Sequence, residues 1–148
     1  MKIMLDEGAT MPTRAHDQDA GLDLYAREEK IICGTSDGSS FYSTEDNFAT
    51  FDTGVHVELP PGTFGQLFSK SGLNVNYNVV SCGGTIDEGY TGSIKVKLYN
   101  LGRRPYLIRK GQKICQLVIM PCQKPELELV DKLDETDRGS NGFGSSGM

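Results

Sequence analysis

The chain has 148 residues, 37% hydrophobic and 24% charged, which suits one domain around one modest core. Its formal net charge of −5 excludes the basic footprint that general nucleic-acid binding needs, though not a local site for a small anion. No apolar run approaches the ~18 residues of a membrane span, and the N-terminal MKIMLDEGATM meets an acid at Asp6, so no membrane segment or secretory signal is expected and the chain reads as cytoplasmic.

In chain order, DAGLDL (19–24) reads as a turn entering a strand. Asp17, Asp19, Asp23 and Glu28 sketch a calcium loop, but Leu22 stands where an EF-hand needs glycine. Residues 33–50 are polar and rich in Ser, Thr, Gly and Asp, as an exposed hairpin tip or loop would be. VHVEL (55–59) alternates Val55, Val57 and Leu59 with His56 and Glu58, a strand pattern. At SKSG (69–72) a short helix is expected after Ser71, with Ser71 as its N-cap. Two hydroxyls and an ammonium there suit an oxyanion, and an N-cap beside a surface lysine is the plain alternative.

GGTIDEGYTG (83–92) reads as a β-hairpin whose glycines let backbone approach a ligand. Asp87 could take a proton from water and Tyr90 could offer a ring face; a tight turn with solvated acids is the other reading. Strand alternation returns at 93–99, 113–120 and 126–130, with turn signals at 59–62, 101–105, 109–111 and 123–125. Many short strands and almost no helical periodicity mean an all-β sandwich or barrel.

The tail from Arg138 holds too little apolar surface to fold alone. Its GFGSSG (142–147) has no following helix, so it is not a dinucleotide fingerprint, and no Lys-Ser/Thr follows to make a Walker A loop. It is either a floppy end or an arm that orders on a ligand, with Arg138, Phe143, Ser145 and Ser146 suited to a phosphate chain and a base. The four cysteines, Cys33, Cys82, Cys115 and Cys122, lack C-x-x-C spacing and stand apart from His16 and His56, so buried free thiols are expected and a zinc cluster is not.

Taken in order, DAGLDL, SKSGL, GGTIDEGYTG, RKGQKICQLVI and RGSNGFGSSG resemble the five motifs of the homotrimeric dUTP pyrophosphatases, the dUTPases, from residue 19 to 147. The resemblance implies a jelly-roll-like β-barrel over 1–135, an arm over 136–148 that closes a neighbour's active site, and three chains around a three-fold axis. It implies hydrolysis of dUTP to dUMP and pyrophosphate, with Mg²⁺ held by the triphosphate.

Residue by residue, it makes Asp87 the acid that activates the attacking water, and Tyr90 the ring against the deoxyribose. Ser81, Gly84 and Ile86 lie in the arm that reads uracil. Lys70, Ser71 and Gly72 meet phosphate, and Gln116 lies near the water and phosphates. Arg138 grips the γ-phosphate, Phe143 stacks on uracil, and Gly144, Ser145 and Ser146 add phosphate contacts. Asp23 stands near the metal and its waters.

Three features depart from the family pattern: Lys70 replaces the usual arginine, Ser81 stands where asparagine is common, and the stretch 31–50 is longer than the common form. That insertion is a candidate surface for a protein partner. A dCTP deaminase-type enzyme of the same fold, or a nucleotide-sensing interaction protein, are the alternative readings.

Overall fold

The computed structural model describes residues 1–35, 46–82 and 84–140. Its strands, in chain order, are β1 Lys2–Leu5, β2 Gly21–Tyr25, β3 Lys30–Ile32, β4 Phe48–Asp52, β5 Val55–Glu58 and β6 Thr63–Ser69, then, after helix α1 (Ser71–Tyr77), β7 Val79–Ser81, β8 Thr85–Ile86, β9 Lys95–Asn100, β10 Tyr106–Ile108 and β11 Lys113–Pro121. All ladders are antiparallel: β2-β11-β6-β8, β4-β9-β7, β1-β5 and β10-β3. The result is the expected all-β, jelly-roll-like fold.

The alternation that marks the strands in the sequence decides what they bury. Val55 and Val57 of β5, Val96 and Leu98 of β9, and Leu22 and Leu24 of β2 all face one core, which Phe51, Ile94, Ile114 and Leu117 fill. β2 departs from simple alternation, because Asp23 between its two leucines is also buried, on the opposite face of the strand. A carboxylate there needs partners, and β11 supplies one of them through a bulge. The register between β11 and β2 shifts between Lys113 and Cys115, so Lys113 pairs with Tyr25 and Gln116 with Asp23. An extra residue, Ile114, points into the core, which puts Lys113 and Gln116 on the same face as Asp23 despite their odd spacing.

Four expectations are corrected. The N-cap of α1 is Lys70, in an extended conformation, and Ser71 is already the first helical residue; no side chain caps the helix. Residues 126–130 form no strand, since among the described residues they find no ladder partner; Leu127 and Leu129 are fully exposed. β7 and β8, on either side of Gly83, do not pair with each other as a hairpin would: β7 pairs with β9 and β8 with β6. The thiols are not uniformly buried either, with Cys115 buried, Cys122 half-buried and Cys82 exposed.

Candidate active site

The face of β2 and β11 that carries Asp23 holds an ion cluster. Lys70 Nζ lies 2.7 Å from Asp23 Oδ1 and Lys113 Nζ 2.7 Å from Oδ2. Gln116 Nε2 reaches Oδ1 at 3.5 Å, a weak contact. Asp23 is 2% exposed. Burial pushes its carboxyl up, but hydrogen bonds from Lys113 and Lys70, and then their charges, outweigh burial and hold it below the usual carboxylate range. The same bond to Asp23 raises Lys113. Two ammoniums share this one carboxylate, so the triad itself carries one surplus positive charge.

The extended Lys70 reaches Asp23, and its ammonium, which has no acceptor, cannot cap the first-turn N–H groups. Ser71 and Gly72 then present first-turn N–H groups that have no intrahelical acceptor. A Cβ on Gly72 would meet nothing within 4 Å, so the backbone there is open to a ligand.

The arm is held differently. Ser69 Oγ accepts from Ser81 N–H at 2.9 Å and lies 3.2 Å from Ser81 Oγ, so the first hydroxyl of SKSG fixes Ser81. The Gly84 carbonyl accepts from Leu67 N–H at 3.0 Å, and Gly84 sits at φ 112° with its Cβ position only 2.7 Å from Leu67 Cδ1; any other residue would be strained and would clash. The side chain of Ile86 is buried in the core, which leaves only its backbone to meet a ligand.

Past the arm, the Asp87 carbonyl accepts from Tyr90 N–H at 3.0 Å and closes a turn. The two acids of this turn part ways. Glu88 is bound by Lys124 at 2.8 Å and by Gly62 N–H at 3.2 Å, and both hold its carboxyl below the usual range. The Asp87 side chain is exposed and makes no hydrogen bond or ion pair among the described residues. Tyr90, 42% exposed, donates its hydroxyl to the Ser93 carbonyl at 3.0 Å. Its ring lies over Gly92, where a Cβ would approach Tyr90 Oη within 2.5 Å. Gly92, like Lys113, lines the candidate site without having been named individually in the sequence. Only the glycine two places after an aromatic hinted at it.

One chain does not bring these parts together. Asp23, Gln116 and Phe68 occupy one row of the β2-β11-β6-β8 sheet, whereas Ile86, Gly65 and Ile119 occupy a row three residues further along β11. At ~3.3 Å per residue and ~4.8 Å per strand, Asp87 is well over ~10 Å from the Asp23 cluster, beyond the reach of a shared water. Arg138 is exposed at the end of the described residues; Phe143, Gly144, Ser145, Ser146, Gly83 and residues 36–45 of the insertion lie outside them. Among the described residues, no three His, Cys, Asp or Glu side chains converge as metal ligands, and both oxygens of Asp23 are already held by lysines.

A family model described as dUTPase matches residues 7–147. The deoxyuridine 5'-triphosphate nucleotidohydrolase of Clostridium acetobutylicum is 42% identical over 146 residues, covering 97% of this chain and 93% of the relative. The Mus musculus protein of the same name is 35% identical over 145 residues, covering 98% and 83%. Among solved structures, the dUTPase of Staphylococcus bacteriophage 80alpha with dUPNHPP gives a TM-score of 0.82 at 31% identity, covering 99% of this chain and 98% of that one. The dUTPase of phage phi11 of S. aureus, described as showing a species-specific insert, gives 0.76 at 26% identity, covering 91% and 98%.

Proposed function

The chain belongs to the dUTPase family, and we propose that it hydrolyses dUTP by in-line attack of a water on the α-phosphorus, with Asp87 as the base. The attacking oxygen bonds to phosphorus, the bond to the bridging oxygen of the β-phosphate breaks, and dUMP and pyrophosphate leave. Asp87 aligns the water and takes its proton, a contribution of typically ~10²–10⁴-fold. The observation that carries this reading is the contrast between adjacent acids: Glu88 is tied down and Asp87 is open beside the glycine-seated Tyr90 ring.

Mg²⁺ would come with the triphosphate and would neutralise charge along the phosphate chain. A phi11 dUTPase structure is described as coordinating a structural Mg(II) ion, and in this chain Asp23 is the acid that would stand near the metal's waters. Lys70, Lys113, Gln116 and the Ser71–Gly72 backbone receive the phosphates. Lys70 gives a point charge where arginine would give a fork. Tyr90 rejects ribose by leaving a 2′-hydroxyl unpaired, and the backbone from Ser81 to Ile86 reads uracil.

The distance between Asp87 and the Asp23 cluster supports an assembly in which one subunit's Asp87 and Tyr90 face a second subunit's Lys70 and Gln116. We assign the chain to a homotrimer, with a barrel over 1–135 and an arm over 136–148 that brings Arg138, Phe143, Gly144, Ser145 and Ser146 to a neighbour's nucleotide. The bare Leu127, Leu129 and Leu133 are consistent with a surface that another copy covers. No helix of the described residues is long and apolar enough to cross a membrane, and a cytoplasmic location fits this chemistry.

The test is pyrophosphate release with Mg²⁺ across dUTP, dCTP, dTTP and UTP. Turnover confined to dUTP supports the reading, and ammonia release from dCTP would replace it with a deaminase. For sharing, two inactive variants, Asp87→Asn and Lys70→Ala, are mixed and refolded together; random trimers regain about a quarter of the sites only if the two residues come from different subunits. Mixtures as dead as their parents would refute the shared site. The insertion at 31–50 gives a second, compatible role as a partner surface, motivated by the insert of the phi11 protein; unchanged pull-down from cell extract after deleting 33–48 would count against it.

A further inference from the structure

The loop that carries Tyr90 returns to the barrel over the turn between β4 and β5. Ile94 N–H donates to the Val55 carbonyl at 2.9 Å, and the Ile94 carbonyl accepts from the Thr53 hydroxyl at 2.7 Å. The Ser93 hydroxyl donates to Asp52, while the Ser93 carbonyl holds the Tyr90 hydroxyl. Nearer the ring, one side chain makes the fastening: His56 Nδ1 lies 2.8 Å from the Thr91 carbonyl oxygen and Nε2 3.1 Å from Asp6 Oδ1.

Both partners of the imidazole are acceptors. A neutral imidazole has one N–H and one lone pair, so it can satisfy Thr91 or Asp6 while the other contact sets a lone pair against an oxygen. Only the imidazolium donates to both. We propose that His56 is a positioning residue for Tyr90: as the imidazolium it ties Thr91 to Asp6 at the end of β1, and losing the proton loosens the ring and relaxes selection against a 2′-hydroxyl. The inference rests on reading Tyr90 as the sugar-facing ring.

The charged groups around the imidazole agree with this. Asp6 comes from the turn after β1 with Arg27 at 3.0 Å behind it, Asp52 from the end of β4, and the Lys2–Glu58 pair lies further along the β1-β5 ladder. His56 also lines a cleft of about 330 Å³ that opens to solvent, so its proton can exchange. The Thr91 carbonyl first, then Asp6 and Asp52, outweigh partial desolvation and raise the His56 pKa. With the folded pKa raised, the tie is complete below the ordinary histidine value and is lost as pH rises through the folded value.

Asp6→Asn makes the opposite prediction from removal of the ring. An asparagine amide can donate to a neutral Nε2 while its oxygen keeps Arg27, so the neutral imidazole then satisfies every partner. The experiment is the ratio of kcat/KM for dUTP over UTP between about pH 6 and pH 9, in which ionisations common to both substrates cancel. In the unaltered protein the ratio falls ~3–10-fold in one step as pH rises. His56→Phe gives a low, flat ratio, and Asp6→Asn a high, flat one.

In parallel, NMR of labelled tyrosine follows the Tyr90 ring, assigned by its loss in Tyr90→Phe. It is expected to titrate with His56 in the unaltered protein and to stay still in Asp6→Asn. A flat ratio with an unmoved Tyr90 resonance, or a pH step that survives in Asp6→Asn, would overturn the tie and leave the hydrolase reading intact. Absence of dUTP turnover with co-titration intact would overturn the hydrolase reading and support the tie.

Discussion

Asp23 and Asp87 carry the same carboxylate into opposite surroundings. Asp23 is buried between two lysines, its oxygens fully engaged, while Asp87 is exposed on a turn with no partner among the described residues. A carboxylate held by two ammoniums is a poor proton acceptor and a good anchor, because its protonation is opposed by the same contacts that fix it. An open carboxylate can align a water. In the mechanism proposed above, environment rather than residue type divides the two tasks, and each can be broken separately.

The largest effect is expected at the open acid. Asp87→Asn keeps the shape and removes the base, so kcat for dUTP falls ~10²–10⁴-fold while nucleotide binding, measured by calorimetry, is kept. Undiminished turnover would remove Asp87 from the mechanism. At the buried acid, Asp23→Asn frees Lys70 and Lys113 from their anchor, and KM for dUTP rises ~10-fold with kcat little changed. The same variant has a signature in acid. The Asp23 carboxyl is lowered relative to its unfolded value of 3.8, so its stabilisation is complete above that value and is lost as pH falls through the folded pKa. Acid unfolding followed by circular dichroism is therefore expected to lose part of its slope below about pH 4 in Asp23→Asn.

Smaller effects sharpen the contrast. Gly92→Ala pushes a methyl into the Tyr90 ring and is expected to lower the dUTP-over-UTP preference ~3-fold with melting little altered. Smallest of all is labelling with iodoacetamide at about pH 8, which leaves activity to the other tests and reports access alone. Cys82 on the exposed arm reacts, whereas Cys115 behind Asp23, its thiol pushed up to about 12 by burial, stays unlabelled.

The strands were legible because half-buried strands alternate. Val55 and Val57, or Val96 and Leu98, announce their face by spacing alone. The same rule failed at 126–130, where the alternation is present but the ladder partner is not, since a strand is a relation between two segments. The helix starts one residue earlier than expected because Ser71 has capping chemistry but Lys70 has the extended backbone. At the open acid, the glycine-rich turn with an aromatic three places on left two readings, and the motif resemblance singled out Asp87. Lys113 could not be read locally, because only the bulge at Ile114 turns it toward Asp23, and pairing register is not written in any one strand. The separate pairing of β7 and β8 was hidden for the same reason.

The uncovered leucines between 127 and 133 carry a practical consequence. A solitary copy wears a greasy, alternating hem of the kind that recruits other chains edge to edge. Under the homotrimer proposed above, dilution would endanger this protein as heat does, and its melting temperature would climb with concentration as copies cover one another's hems.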